Sequence, residues 1–321
     1  MNHLLALTLG VCLDILLGYP HRLPHPLGLV RILIGYLEKP FGELCSEPRQ
    51  LRRAGAAMLI IVTVFTGSAV FLIMKLLYIL GFWYTFAGEA ALSYLMLSGG
   101  SVAREAKKVA NTLSESLEAA RNRAAILAGD HTQALGRGDI IRVTAGTVAR
   151  NTAEGLFSPI FYLFIGGPMA GAIFKAVSMT HTVTGNRNGE RRDIGRAGAI
   201  ADGVFSFVPA RIAGVFMVCA AAILRLDYRN AWKTIKDRKN CNSLDGRWPE
   251  FAAAGALHIR LAGTPQSGEM AEKPMEEDGL REPEVTDIKA ATGMMFTSYG
   301  LGFAFFAIVY ALICIAAGWM F

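Results

Sequence analysis

Five long apolar stretches, separated by basic and glycine-rich loops, restrict this chain to one kind of structure, a helical protein embedded in a membrane. Met294–Phe321 runs 28 residues without a charge, Ala54–Met74 runs 21 and Leu156–Phe174 runs 19. A helix needs roughly 20 apolar residues to cross a bilayer core about 30 Å thick. Leu76–Leu97 contains one charged residue, Glu89, and Val204–Leu224 contains one, Arg211. A shorter run, Leu4–Leu17, carries Asp14. Segments of about 4–18, 54–75, 76–97, 156–174, 204–224 and 294–321 are therefore assigned to the membrane, in a single all-α polytopic domain over 1–321. A soluble helical protein is the competing reading. A hydrophobic content of 53% and a mean hydropathy of +0.37 count against it.

The polar remainder falls into 19–53, 98–155 and 225–293. The net charge of +6 matches the Lys and Arg excess kept beside a cytoplasmic leaflet. Basic residues are spread over all the loops without interleaved aromatics, so no nucleic-acid partner is expected. The cysteines form no CxxC, and three of them (Cys12, Cys219, Cys314) lie in apolar runs, where a thiol behaves as a small hydrophobe. No Lys or Arg precedes Leu4, so residues 4–18 are expected to be a retained segment, crossing the membrane or lying at its interface, rather than a cleaved leader.

Lys and Arg number six in 19–53, eight in 98–155, five in 175–203, eleven in 225–293 and none after Met294. Keeping positive loops inside puts 19–53, 98–155 and 225–293 in the cytoplasm, with the candidate site facing it. Six full spans satisfy this but leave 175–203 outside. A second solution keeps every basic loop inside by making 156–174 and 204–224 re-entrant, and it is the one we favour. Gly166-Gly167-Pro168 is expected to break the first segment, and Pro209 with Arg211 to break the second. Broken helices at membrane depth are tolerated where they are buried or line a cavity, and so they point toward a site. In the loops, Ser98–Ala128 is expected to form one amphipathic helix ended by Gly129, with Val102, Val109, Leu113 and Leu117 on its apolar face. The acidic, Pro- and Gly-rich 264–285 is expected to be a surface loop.

Several clusters also carry a family resemblance. LDILLGYPHRLPHPLGLVRILI near the N-terminus, GTVARNTAEGLFSPIFYLFIGGP, FKAVSMTHTVTGNRNGERRDIGRAGAIADGVFSFVPARI, SLDGRWPEFAAAGALHIRLAG and SGEMAEKP follow one another in order over essentially the whole chain. Together they resemble the CbiB/CobD family of cobalamin biosynthesis, the adenosylcobinamide-phosphate synthases. That resemblance implies ATP-dependent amide ligation of adenosylcobyric acid with aminopropanol phosphate or ethanolamine phosphate. It further implies ATP and Mg²⁺, a corrinoid and an amino-alcohol phosphate as partners, and a multi-pass place in the cell membrane among its lipids. Such chemistry calls for acidic ligands to a nucleotide-bound metal, cations for several phosphates, and a carboxylate to take the proton from an amine. No Walker A pattern is present.

The chain departs from the family pattern at several polar positions. Tyr19 stands for an aspartate, Asp130-His131 for Arg-Asp, and Gly146 and Arg150 for the glutamates of ETVAEN. Ser178 and His181 stand for Asn and Asp, and Ile200 and Gly203 for Arg and Asp. The retained residues supply the candidates. Asp202 and Glu154 are the catalytic pair and the expected Mg²⁺ ligands, and Asn151, Lys175, Arg211, Arg192 and Arg121 the substrate and phosphate ligands. Asp14, His25 and Lys273 are further candidates. Arg211 could instead pair with Asp202, and Arg187, Arg191, Arg192 and Arg196 together could form a phosphate surface. His21 and His25 flank prolines that exclude a regular helix, so a proline-held turn is expected there rather than a metal pair. Two functions stay open: a working synthase, or an impaired paralogue acting as a corrinoid-binding or partner subunit beside an intact copy. A transporter would need symmetry between halves, and none is visible.

Overall fold

The computed structural model describes residues 2–18, 26–44, 47–128, 132–185, 192–237, 246–261 and 280–318. Among them every regular element is helical: α1 (Asn2–Leu17), α2 (Pro26–Leu44), α3 (Pro48–Leu80), α4 (Phe82–Met96), α5 (Gly99–Glu115), α6 (Leu117–Ala128), α7 (Arg137–Asn151), a π-helical turn (Thr152–Phe157), α8 (Ser158–Thr184), α9 (Arg192–Ile223), α10 (Tyr228–Asp237), α11 (Trp248–Leu257) and α12 (Val285–Ala316). Among the described residues, four stretches are long and apolar enough to cross a membrane: Pro48–Leu80, Arg137–Thr184, Asp193–Ile223 and Val285–Ala316. The protein is an all-α, polytopic membrane protein. At about 1.5 Å per residue, α1 and α4, with 16 and 15 residues, fall short of the bilayer core.

Two boundaries differ from the sequence expectation. The first span continues past residue 75 to Leu80 and ends at Gly81, whose φ of 120° only glycine adopts readily. The expected single helix 98–128 is two helices. Ser116 is extended (φ −154°, ψ 131°) and its Oγ accepts the Ala119 N–H at 3.4 Å, so the serine caps a new helix instead of continuing the old one. Val102, Val109 and Leu113 are buried as expected, whereas Leu117, past the break, is 37% exposed.

The chain divides into two compact units, one of residues 1–97, 158–206 and 306–321, the other of 98–157 and 207–305. In the first unit, Val30, Ile34, Met58, Val62, Ala176 and Ile194 form a core from α2, α3, α8 and α9. α3 and α9 touch at Gly55, where a Cβ would lie 2.1 Å from the Ile194 carbonyl oxygen. Backbone is the obstacle, so no side-chain rotation relieves it. Gly55→Ala is expected to cost about 2–3 kcal/mol, read as a lowered unfolding temperature in detergent. A change within the error of the wild-type value would show that the helices can separate freely there.

The predicted break in α8 is present. Gly166 (φ −142°, ψ 22°) and Gly167 (φ 61°, ψ −158°) leave the helix just before Pro168. The Leu163 carbonyl, which a helical Gly167 N–H would have reached, accepts His3 Nε2 at 3.1 Å instead. The second predicted break is absent, because Arg192–Ile223 runs as one helix over Pro209. Proline frees the carbonyl four residues before it, and Tyr162 Oη donates to that carbonyl, of Phe205, at 2.9 Å. The Tyr162 ring also stacks on Phe174, with centroids 5.2 Å apart. Tyr162→Phe keeps the stacking and removes the donor, so about 1 kcal/mol of stability should be lost in a denaturation assay; no loss would mean that another donor replaces it.

In the second unit the core is alanine-rich, with Ala149, Met217, Ala220, Ala221, Ala231, Phe251, Ala252, Ala253 and Ala256 together. Small side chains let α10 and α11 approach until a Cβ on Gly255 would sit 2.8 Å from the Ala231 Cα. α11 is buried from Pro249 through Leu257. Asp287, buried at the start of α12, accepts the Glu284 N–H at 2.7 Å. It also holds the Arg281 guanidinium, which this hydrogen bond keeps above the usual arginine range.

Candidate functional site

In the second unit the residues of the GTVARNTAEG and RWPE motifs come together. Glu250, one residue into the buried part of α11, is 1% exposed. Its Oε2 accepts Arg150 Nη2 at 3.1 Å and Arg247 Nε at 3.1 Å, and Arg247 Nη2 lies 3.5 Å from Oε1. A carboxylate at that burial requires such partners, because desolvating it alone would cost several kcal/mol. Glu154, one turn beyond Arg150 and exposed, adds its attraction to the same guanidinium. Next to Arg247, the Trp248 ring lies 5.1 Å from the Arg211 guanidinium carbon. Arg211 also lies 3.4 Å over the Phe207 ring and donates Nη1 to the Phe207 carbonyl at 2.8 Å. Gly214 makes room for the indole, since a Cβ there would meet the Trp248 Cβ at 2.8 Å. Cation and aromatic face thus sit together, a pairing suited to an anion carried on a flat ring system.

The π-helical turn falls on Thr152–Phe157, within the second motif. One residue of extra winding re-aims the side chains around it, and such turns frequently mark functional sites. Asn151, just before the turn, accepts Ser98 Oγ at 2.9 Å through Oδ1, and the Ser98 N–H donates to the Gly155 carbonyl at 3.2 Å. Gly155 is required by this closure: a Cβ would fall 1.5 Å from Asn151 Oδ1.

In the first unit a second polar group forms where α8 and α9 run antiparallel. Gly195 faces the Thr184 carbonyl and Gly198 the His181 backbone, with notional Cβ contacts of 2.7 and 3.2 Å. One turn beyond Gly198, this register brings Asp202 opposite Ser178, which hydrogen-bonds its carboxylate, and within electrostatic reach of Lys175. Asp202 Oδ1 is buried without a hydrogen-bond partner among the described residues. A buried carboxylate oxygen left open in this way is available to a proton, an amine or a cation.

The remaining candidates are placed as follows. Arg121 Nε donates to the Leu135 carbonyl at 2.9 Å, and its own carbonyl accepts Thr132 Oγ1 at 2.9 Å, so it braces the turn after α6. Asp14 is buried in α1. His25, Lys273, Arg187, Arg191 and the Arg192 side chain lie outside the described residues, and Arg196 is exposed on α9. Glu154 and Asp202 belong to different units. Glu250, Arg247 and Trp248 were not among the sequence candidates. A lone acid inside WPEFAAAGAL was the available signal, since an unpaired carboxylate in a run that apolar is improbable.

Among the described residues no three His, Cys, Asp or Glu side chains are grouped to hold a metal ion. Around Glu250 a divalent cation does not fit, because the Arg150 and Arg247 guanidinia already take the carboxylate oxygens. Asp202 Oδ1 fits the lesser requirement of Mg²⁺, which is commonly held by one carboxylate together with substrate phosphates.

Comparison with known proteins identifies the family. The family model described as CobD/Cbib protein matches residues 7–295. The cobalamin biosynthesis protein CobD of Listeria monocytogenes serotype 4b is 35% identical over 313 residues, covering 97% of this chain and 99% of the relative. CobD of Klebsiella pneumoniae is 31% identical over 94% of this chain and 96% of its own length, and CbiB of Salmonella choleraesuis is 30% identical with the same coverage. No solved structure matches the chain significantly. With its motifs in order, its polar groups built from them, and relatives aligned along nearly their full length, the chain belongs to the CobD/CbiB family.

Proposed function

We propose that the chain works in cobalamin biosynthesis as an amide-forming enzyme, joining a propionate carboxylate of adenosylcobyric acid to the amine of aminopropanol phosphate or ethanolamine phosphate. The observation that carries this reading is that motifs shared with the family supply both polar groups, one rich in guanidinium and one with an open carboxylate. ATP would activate the propionate by phosphorylation, so that phosphate leaves when the amine attacks. Arg211, Arg247 and Arg150 suit phosphate oxygens, because guanidinium donors match them bidentately. The open Asp202 Oδ1 is chemically suited to take the proton that the attacking ammonium must lose. Alternatively, that oxygen would hold a nucleotide-borne Mg²⁺. We place the protein in the cell membrane, multi-pass, with its basic loops toward the cytoplasm.

One observation favours a second reading. Arg150 stands at a position where the family carries glutamate, and here it is bonded to buried Glu250. A guanidinium there closes the carboxylate to other cations, as expected of a partner subunit that binds corrinoid beside an intact copy. Complementation decides between them. The gene alone should restore corrinoid-dependent growth to a strain lacking the synthase, and purified protein in detergent should consume ATP only with both adenosylcobyric acid and the amine. Growth restored only together with an intact copy, with no ATP consumed by the protein alone, would assign the partner role.

A further inference from the structure

A separate cavity of about 510 Å³ lies in the first unit, lined by Asn2, Tyr78, Phe82, Thr85, Phe86 and Glu89. Its volume is in the range of small-ligand sites. Glu89 is the single charged group in the lining and has only 13% of its side chain exposed. It is held in place from behind. His3 Nδ1 pairs with Glu89 Oε1, and His3 Nε2 bonds the Leu163 carbonyl that the Gly166-Gly167 break has released. The carboxylate is thus preorganised before any ligand arrives. Tyr78, Phe82 and Phe86 line the same space with ring surfaces, which attract cations as well as apolar groups.

The depth of this cavity in the membrane follows from the helices. α3, with 33 residues, is about 50 Å long, roughly 10 Å more at each end than the hydrocarbon core requires. The end at Gly81 carries Tyr78, Phe82, Trp83 and Tyr84, all more than half exposed, the belt expected where a bilayer meets water. Leu77 of α3 packs on Gly88 of α4, and Lys75 and Glu89 lie about 9 and 12 Å in from that end. These are the only charged residues between Arg53 and Arg104. Lys75 precedes Tyr78 by one helical turn and so shares its face. An acid and a base at headgroup depth, beside an aromatic-lined cavity, complement an ammonium and a phosphate joined by a short linker.

We propose that this cavity binds a phospholipid with an ammonium-bearing zwitterionic headgroup, its ammonium at Glu89 and its phosphate toward Lys75. The site is independent of the residues given to catalysis above. Full-length protein in detergent is titrated with phosphatidylethanolamine, phosphatidylglycerol and soluble phosphoethanolamine, and retained adducts are read by native mass spectrometry. Phosphatidylethanolamine should be retained at least fivefold more strongly than phosphatidylglycerol. Glu89→Gln should reduce it to the phosphatidylglycerol level. Phe82→Leu, at an exposed position that folding should tolerate, keeps the apolar volume but loses the ring and should weaken retention severalfold. Equal retention of the two lipids, or unchanged retention in a folded Phe82→Leu protein together with Glu89→Gln, would overturn the site. Displacement of the lipid by millimolar phosphoethanolamine would overturn the lipid assignment in favour of a soluble amine.

Discussion

Glu250→Gln is expected to lower the stability of the protein by about 3 kcal/mol, the loss typical of removing one member of a buried ion pair. Glutamine preserves the volume, so the effect isolates the charge. Arg150 and Arg247, with side chains 17% and 21% exposed, would be left close together without the anion they share. A double-mutant cycle with Arg150→Met tests the pairing itself. Removing Arg150 from the Glu250→Gln protein relieves repulsion between the two cations, so the double variant should be less destabilised than the single losses summed, by 1 kcal/mol or more. Thermal unfolding in one detergent at one protein concentration measures all four proteins. Additive losses would mean that Arg150 and Glu250 are neighbours without being coupled. If the guanidinium group also holds substrate phosphate, as proposed, ATP consumption in the Glu250→Gln protein should fall further than the folded fraction does.

Much of the fold was legible in the sequence because the bilayer imposes a length scale on apolar runs, and a run such as 294–321 has few other uses. The break at Gly166-Gly167 was legible for a stereochemical reason, since the backbone at Gly167 is one that only glycine takes easily. Pro209 misled because its penalty is a lost hydrogen bond, and a lost bond can be replaced. Tyr162, 43 residues before the freed Phe205 carbonyl, supplies the donor, and no local pattern reveals that. Ser116 misled in the opposite direction. Its hydroxyl offers the backbone a cap in competition with the helix, a choice that helical periodicity does not record. The candidate site shows the same division. Asp202 and Lys175 could be found because each is retained within a motif that resembles the family's. Glu250 and Arg150, 100 residues apart, became a site only when α7 and α11 packed together.

Asp202→Asn is expected to abolish the proposed amide ligation, with turnover down by at least a hundredfold, while the protein remains folded. Asparagine is isosteric, and Ser178 can still donate to its amide oxygen, so the packing between α8 and α9 is kept. What disappears is the negative charge facing Lys175 and the basicity of the open Oδ1. If that oxygen takes the proton from the amine, or holds a metal-bound nucleotide, neither role survives in a neutral amide. Lys175→Met separates these roles from a purely structural ion pair. Were the two residues only paired with each other, removing both charges together would restore activity by relieving the unpaired group. If Asp202 acts on substrate, the double variant stays as inactive as Asp202→Asn alone. ATP consumption dependent on both adenosylcobyric acid and the amine is the readout, with an unfolding curve for each variant. Unchanged turnover in Asp202→Asn would remove the carboxylate from the mechanism and leave it as a helix-packing residue.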